Sequence, residues 1–440
     1  MNFKKIMLLV IAIIVLIACG KEVKNKDTKE KEIVLGYFKD TGDLNPHLYS
    51  GEMFAQNLVF EGLVSIGQNG EFKPSLAESW KISEDGKTYV FKLRKDVTFN
   101  DGEKFNAEVA KLNFEAILTN INRHKWLQSV TLMDNVIKSG GKAIEATGEY
   151  ELTIRLSAPY YPFLVELGVT RPFRFISPKA FINGTTKEGV SALSGTGPYM
   201  LSETKKDQYS IFVENPNYWG KKPAIKKVTI KVIPENQTRV MALEKGEIDM
   251  IFGSGMLDAE SFNNFKNSKE FETKLSEPSS TRLLLVNTTD KILKDKNIRK
   301  AIQHIVDKKT IGKFILSDTE SPADFVLAEN VPYAKVGLKP YEYNVVEAEK
   351  ILDEAGWVKL PNQKIREKNG EKLKIQISYN TNNPTDRSIS EFLQGEFLKA
   401  GIELDLLGEE DQTYKDRLRA GKFQWQGMFH GEILMNHIHF

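Results

Sequence analysis

Cysteine is nearly missing from this sequence: the only one, Cys19, closes the only strongly apolar run in the 440-residue chain. No disulfide can form in the mature chain, and with Cys19 used as an anchor no free thiol is left to act as a nucleophile. Histidine is scarce too, six residues with no HxxH or HExxH pair, so the imidazole set that a bare-metal site needs is not there. Charge of one sign is also lacking. Lys+Arg 61 against Asp+Glu 59 leaves a formal +2, which gives no concentrated basic face for nucleic acid. Absent as well are a Gly-x-Ser-x-Gly elbow, a GxxxxGK[ST] phosphate loop and any zinc spacing. The acidic pair Glu409-Glu410 reads as a solvated turn. Nothing supports a hydrolase or a metalloenzyme.

What is present begins at the amino terminus. Met1 to Lys5 carry two lysines, Ile6 to Ala18 are almost wholly apolar, and Leu16-Ile17-Ala18-Cys19-Gly20 follows. A basic start and a short apolar stretch make a secretory signal, too short to span a bilayer comfortably. An uncleaved membrane anchor is the plainer alternative. The ending resembles a bacterial lipobox, which implies that Cys19 becomes the lipidated first residue and ties the chain to the membrane. Residues 20–32 are charged and free of aromatics, so they read as a tether that cannot bury a core. The chain is too long for one hydrophobic core.

From Ile33 onward short strands alternate with helices, the pattern of an α/β protein. Strands are expected at Ile33–Tyr37, Tyr89–Arg94, Glu151–Leu156 and Lys226–Ile233, and helices at Ala107–Leu118 and Gln237–Lys245. Asn344 with Glu347 reads as a capping box opening a helix that Gly356 ends. Strand Leu373–Tyr379, the apolar stripe Ile389, Phe392, Leu393, Phe397, Ala400, and strand Ile402–Leu406 form a βαβ unit.

Several stretches carry a family resemblance. Pro74-Ser-Leu-Ala-Glu-Ser-Trp80, Glu84-Asp-Gly86, Tyr89-x-Phe91-x-Leu93-Arg94, Gly195-Thr-Gly197-Pro198-Tyr199, Asn215-Pro-Asn-Tyr218-Trp219-Gly220 and Gly246-Glu-Ile-Asp249 occur in order. Together they resemble the peptide/nickel class of ABC solute-binding proteins. Taken as residues, they are turns and core anchors. The resemblance implies a two-lobed periplasmic-binding-protein-like α/β fold (type II, family 5) with the ligand cleft between lobes. Residues 33–272 would form lobe I, with an inserted subdomain at about 73–185, and residues 273–440 lobe II. It also implies permease and ATPase subunits as partners and no reaction.

Within the class, Leu44-Asn45-Pro46-His47-Leu48-Tyr49, Arg123-His124-x-Trp126-Leu127 and Arg171-Pro172-Phe173-Arg174-Phe175 are similar to the nickel-binding branch. That branch implies nickel wrapped in a small carboxylate-rich chelator, with haem as another ligand. Its carboxylate-clamping arginines fall on Arg123 and Arg171, and its cleft-lining residues on Tyr49, Met53 and Trp126. A guanidinium holds a carboxylate by two parallel hydrogen bonds, which suits those positions. Plainer readings stand beside these. Arg171 also reads as an inter-strand or surface arginine, Arg174 as a structural one, Trp126 as core, and His47, His124 and His304 as structural histidines. A peptide or an opine-type metallophore is the alternative ligand.

The resemblance breaks shortly after Met428-Phe429-His430. One permitted codon set for the last residues, read two nucleotides later, gives Thr-Tyr-Glu-Pro-His-Ser-Phe, which resembles the family's continuation. The expectation is a frameshift near Gly431, with His437 and His439 accidental and the second lobe incomplete. The resemblance then implies that the family's one metal-ligating His is not among these residues, with marginal stability and weakened chelate binding as the consequence.

Overall fold

The computed structural model describes residues 31–431 apart from 49, 68–69, 124–128, 254, 277–280, 327–336 and 382. Its framework is three sheets, each with its own apolar core. In the central sheet the strands run in the order Tyr199–Lys205, Tyr209–Glu214, Lys227–Val232, Glu32–Tyr37 and Met250–Ile251. The first described strand begins at Glu32, inside the stretch read as tether, and inserts parallel between two later ones, from Glu32↔Lys227 to Tyr37↔Val232. Leu35, Val228 and Ile230 are buried against Val59, Phe60 and Phe212, the apolar pattern of a sheet whose faces are covered.

A second, antiparallel sheet orders Ala77–Ile82, Thr88–Leu93, Glu151–Arg155 and Ile144–Gly148. Tyr89, Phe91 and Leu93 alternate inward as their spacing predicts. The helix Ala107–Leu118 packs on this sheet, its first turn capped by Asn106, whose side chain accepts from the Val109 N–H.

The third sheet orders Thr281–Val286, Trp425–Gly431, Lys374–Asn380 and Glu403–Glu409. Lys374–Asn380 and Glu403–Glu409 pair in parallel and are joined by the helix Pro384–Lys399, the expected βαβ unit. Two local expectations change. The Asn344 side chain accepts from the Glu347 N–H, but the Asn344 N–H donates to the His304 carbonyl at 2.8 Å. Only half of the capping box forms, because the neighbouring helix Lys296–Ile305 supplies a carbonyl in place of the glutamate. Glu409 is not solvated: it is 8% exposed and accepts from Arg417 Nε at 2.8 and 2.7 Å. Arg366, almost fully buried, donates to the carbonyls of Trp357 and Ala400 at 2.8 Å each, satisfying backbone groups beyond the ends of two helices.

The sequence motifs converge on one buried carboxylate. Glu61 Oε2 accepts from Thr196 Oγ1 at 2.9 Å and from Trp219 Nε1 at 2.8 Å, and Tyr218 OH reaches Oε1 at 3.4 Å. Arg94 lies 4.1 Å over the Trp219 ring. The turn at 195–197 passes so close to residues 58–59 that a Cβ on Gly195 would sit 2.0 Å from the Val59 carbonyl oxygen. Only glycine fits there.

Replacing Glu61 with alanine strips the acceptor from the Trp219 N–H and the Thr196 hydroxyl and leaves buried Arg174 without its nearby negative charge. We expect a loss of about 3 kcal/mol in urea unfolding; a change below about 0.5 kcal/mol would show that the hub is not structural.

Candidate functional site

In open α/β sheets, ligands gather where the parallel strands end at their carboxyl side. In the central sheet that edge is reached at Tyr37, Val232 and Ile251. The chain leaves Tyr37 into a loop, residues 38–52, and re-enters order as the helix Met53–Val59. That loop is laced from within. Asn45 N–H donates to Asp43 Oδ1 at 3.0 Å, His47 N–H to Asn45 Oδ1 at 3.1 Å, and the buried Gln56 amide to the Ser50 carbonyl at 2.7 Å. Gly51 has φ +75°, and a Cβ there would lie 2.1 Å from the Asp43 carbonyl oxygen.

The loop is then pinned to distant chain. His47 is fully buried, with Nε2 2.7 Å from the Arg174 carbonyl oxygen and Nδ1 3.0 Å from Thr186 Oγ1. A carbonyl only accepts, so Nε2 carries the proton and Nδ1 accepts from the threonine hydroxyl. Burial lowers the imidazole to about 4, although the bond to the Arg174 carbonyl works the other way. Asn45 Nδ2 donates to the Thr186 carbonyl at 3.2 Å, and Asn113 joins the helix Ala107–Leu118 to Ile176 through both its amide and its carbonyl oxygen.

Arg171 and Arg174 meet the loop from outside and from beneath. Arg171, half-buried, donates from Nη1 to the Gly51 carbonyl at 3.0 Å and to the Ser50 carbonyl at 3.4 Å. That places its guanidinium within two residues of Met53, which is half-buried at the start of its helix. Arg174 is buried and donates to the carbonyls of Leu167, Gly168 and Phe173. It is the structural arginine of the two. Burial lowers its guanidinium to about 10, with Glu61 opposing, so it stays charged at neutral pH. Glu166, buried in the helix Phe163–Gly168, is pushed up to about 7 by burial.

Of the other expected site residues, Arg123 ends the short helical turn Ile121–Arg123. Cys19, Tyr49 and Trp126 lie outside the described residues, as do His124, His437 and His439. His304 makes a structural contact, its Nδ1 donating to the Glu342 carbonyl oxygen at 2.8 Å. Sequence reasoning missed an aromatic group at the same carboxyl edge. Tyr37, Phe54 and Phe252 meet with ring centroids 4.9–6.0 Å apart, and Tyr37 OH donates to Glu52 Oε2 at 2.7 Å. Thr186 was missed as well, because nothing local marks a threonine whose partner is 139 positions away.

Among the described residues no group of three or more His, Cys, Asp or Glu side chains stands together to hold a metal ion. A hollow of about 560 Å³ does occur at the opposite, amino end of the strand Lys374–Asn380. Its Lys291 and Lys374 pair with Glu371, Glu403 and Asp405, and no residue of the loop 38–52 lines it. An arginine, a thioether and aromatic rings beside a rigid loop can bind and orient a carboxylate-bearing solute.

Residues 71–430 match the family model for bacterial extracellular solute-binding proteins, family 5. The chain is 41% identical over 410 residues to the nickel-binding periplasmic protein of Escherichia coli K12, covering 93% of this chain and 76% of that one. It also resembles the structure of NikA from Brucella suis in complex with Fe(III)-EDTA, at TM-score 0.85 and 42% identity, over 90% of this chain and 79% of that one. NikZ from Campylobacter jejuni in complex with Ni(L-His) aligns at TM-score 0.76 and 28% identity, over 91% and 77%. The chain thus spans about three quarters of the length of these relatives.

The His47 pin makes a pH-dependent prediction. Its pKa is about 4 folded against 6.5 unfolded, so its contribution is complete above pH 6.5 and is lost as pH falls through 4. Glu166 runs the other way, so wild type must be compared with His47→Gln at each pH. The stability gap between them should narrow by about 2 to 3 kcal/mol from pH 7.5 to pH 4.5 in urea titrations. A constant gap would mean that His47 is not held neutral.

Proposed function

The chain belongs to the family 5 bacterial extracellular solute-binding proteins, and on that premise we propose that it receives nickel as a chelate outside the cytoplasm. It is the solute-binding component of an ABC importer, not an enzyme, and it works with permease and ATPase subunits. The observation that carries the nickel reading is the 41% identity to a nickel-binding periplasmic protein along nearly the whole chain. Two structural relatives hold a metal inside a small carboxylate chelator, which fits a chain with six histidines and no HxxH or HExxH pair.

Arg171 is the residue we assign to the chelator's carboxylate, with Arg123 as its companion and Tyr49, Met53 and Trp126 along the cleft. Support for Arg171 comes from its place at the carboxyl edge of the central sheet, beside the loop that ends at Met53. An arginine selects a carboxylate by charge and by its planar pair of donors, and repels a free metal cation. Chelated nickel brings the negative groups that such a residue needs. The ligand then joins the two lobes and shifts the equilibrium between open and closed forms.

Calorimetric titration separates the possibilities. Ni²⁺ alone should give no saturable heat, while Ni²⁺ with two equivalents of L-histidine, or with EDTA, should bind. Arg123→Ala together with Arg171→Ala should weaken chelate binding at least about 100-fold, as expected for removal of charge-assisted bonds. Tight binding of the bare ion, or of a peptide with no nickel dependence, would refute the chelate reading. The lipid anchor at Cys19 belongs to the same proposal. Labelling of cells with a radioactive fatty acid should mark the wild-type chain and not Cys19→Ser; equal labelling of both would remove the anchor from the account.

A further inference from the structure

A second charged cluster lies in the third sheet, on a different part of the chain from Arg171. Arg282 is the second residue of the strand Thr281–Val286, with a side chain only 14% exposed. Its Nε donates to Glu320 Oε2 at 3.0 Å and its Nη2 to Glu320 Oε1 at 2.6 Å. This is the two-point grip that a guanidinium offers any carboxylate. Its Nη1 donates to Asp386 Oδ1 at 3.2 Å.

The two carboxylates are held very differently. Asp386 is 3% exposed and sits in the first turn of the helix Pro384–Lys399, where the helix dipole favours a negative charge. Glu320 has a side chain 39% exposed and lies on an irregular stretch just after the helical turn Ile311–Ile315. Ser317 and Asp318, shortly before it, have φ +50° and +57°, a conformation that L-residues adopt at a cost. Asp386 is therefore built into the fold, whereas Glu320 is the more exposed of the two and lies outside any helix or strand.

The position of the cluster adds to this. Asp386 follows the strand Lys374–Asn380, at the carboxyl end where parallel sheets receive ligands. The stretch bearing Glu320 also reaches the helix Ala259–Asn267, which follows the central sheet's last strand: Asn263 Nδ2 donates to the Ser317 carbonyl at 3.2 Å. It thus lies at the junction between the two bodies that a bound solute must bridge.

We propose that Arg282 is a second carboxylate-binding residue of this receptor, and that Glu320 holds its guanidinium as an internal stand-in for the chelator's carboxylate. The proposal rests on the chelate reading above. Binding exchanges one carboxylate for another on the same two nitrogens, so the buried arginine is never left without a counter-charge. Asp386 keeps it aimed during the exchange. The displaced Glu320 loosens the stretch at the junction, which couples ligand capture to movement of the third sheet relative to the central one.

The test compares wild type, Glu320→Gln and Asp324→Asn by calorimetry at pH 8, where Asp386, raised to about 7 by burial, is ionised. The probes are Ni²⁺ with two equivalents of L-histidine, and Ni²⁺ with histamine, which has the same ring and amine but no carboxylate. Glu320→Gln should bind the histidine complex about 10-fold tighter and leave the histamine complex unchanged, since only a carboxylate competes for the fork. Asp324→Asn, on the same stretch but paired with Lys308, should match wild type with both. A histidine complex bound equally by Glu320→Gln and wild type overturns the stand-in role and leaves the chelate reading intact. An equal gain with histamine overturns it too, because loosening rather than competition would then be responsible. Failure of wild type to bind the histidine complex overturns both readings.

Discussion

A buried imidazole makes two of the bonds that pin the loop beside the candidate site to distant chain. His47 spans from the loop to the Arg174 carbonyl on one nitrogen and to the Thr186 hydroxyl on the other. That geometry requires the neutral Nε2–H tautomer, and burial enforces it by penalising the charged form. Were the ring protonated, Nδ1 would present a proton where it now accepts one, and a full charge would sit in an apolar interior. Asn45 adds a second bond to Thr186, through its carbonyl, while Gly51 and Gln56 shape the loop internally. The position of Met53, and the carbonyls that Arg171 reaches, follow from that pin.

The same physics separates two arginines three residues apart. Arg174 is closed over, its two Nη groups donating to three backbone carbonyls with the Glu61 carboxylate nearby. Its charge is therefore part of the fold, and Glu61 in turn gathers Thr196 and Trp219. Arg171 stands at the surface of the same assembly and reaches the loop from outside. Burial depth, not residue type, separates the two: one is closed into the fold and the other is half-buried beside the loop.

Much of this architecture was legible in the sequence. The alternation Tyr89-x-Phe91-x-Leu93 and the stripe from Ile389 to Ala400 gave their elements because the period of an apolar face is a local property. Glycine and asparagine marked helix ends for the same reason. What was not legible depends on separation along the chain. The His47–Thr186 and Glu61–Trp219 bonds join residues 139 and 158 positions apart, and no window of sequence contains both partners. The half-formed capping box and the buried Glu409 failed in a related way. In each case a group from another element, the His304 carbonyl or Arg417, changed what a local pattern meant. Arg123 and Arg171 came from resemblance to a family, since an arginine in a loop carries no periodic signal.

Chelation changes what a nickel receptor must be made of. A site for the bare ion needs several nitrogen, sulfur or carboxylate ligands converging from the protein, and six histidines scattered along 440 residues do not offer that. Once the metal arrives wrapped, most of its coordination shell belongs to the chelator, and the protein meets an object whose outer surface is carboxylate and ring. Recognition then falls to guanidinium groups and apolar side chains, the residue types found around Met53, Phe54 and Arg171. Under the proposal made for Arg282, a carboxylate of the protein's own, Glu320, would compete for the same two nitrogens.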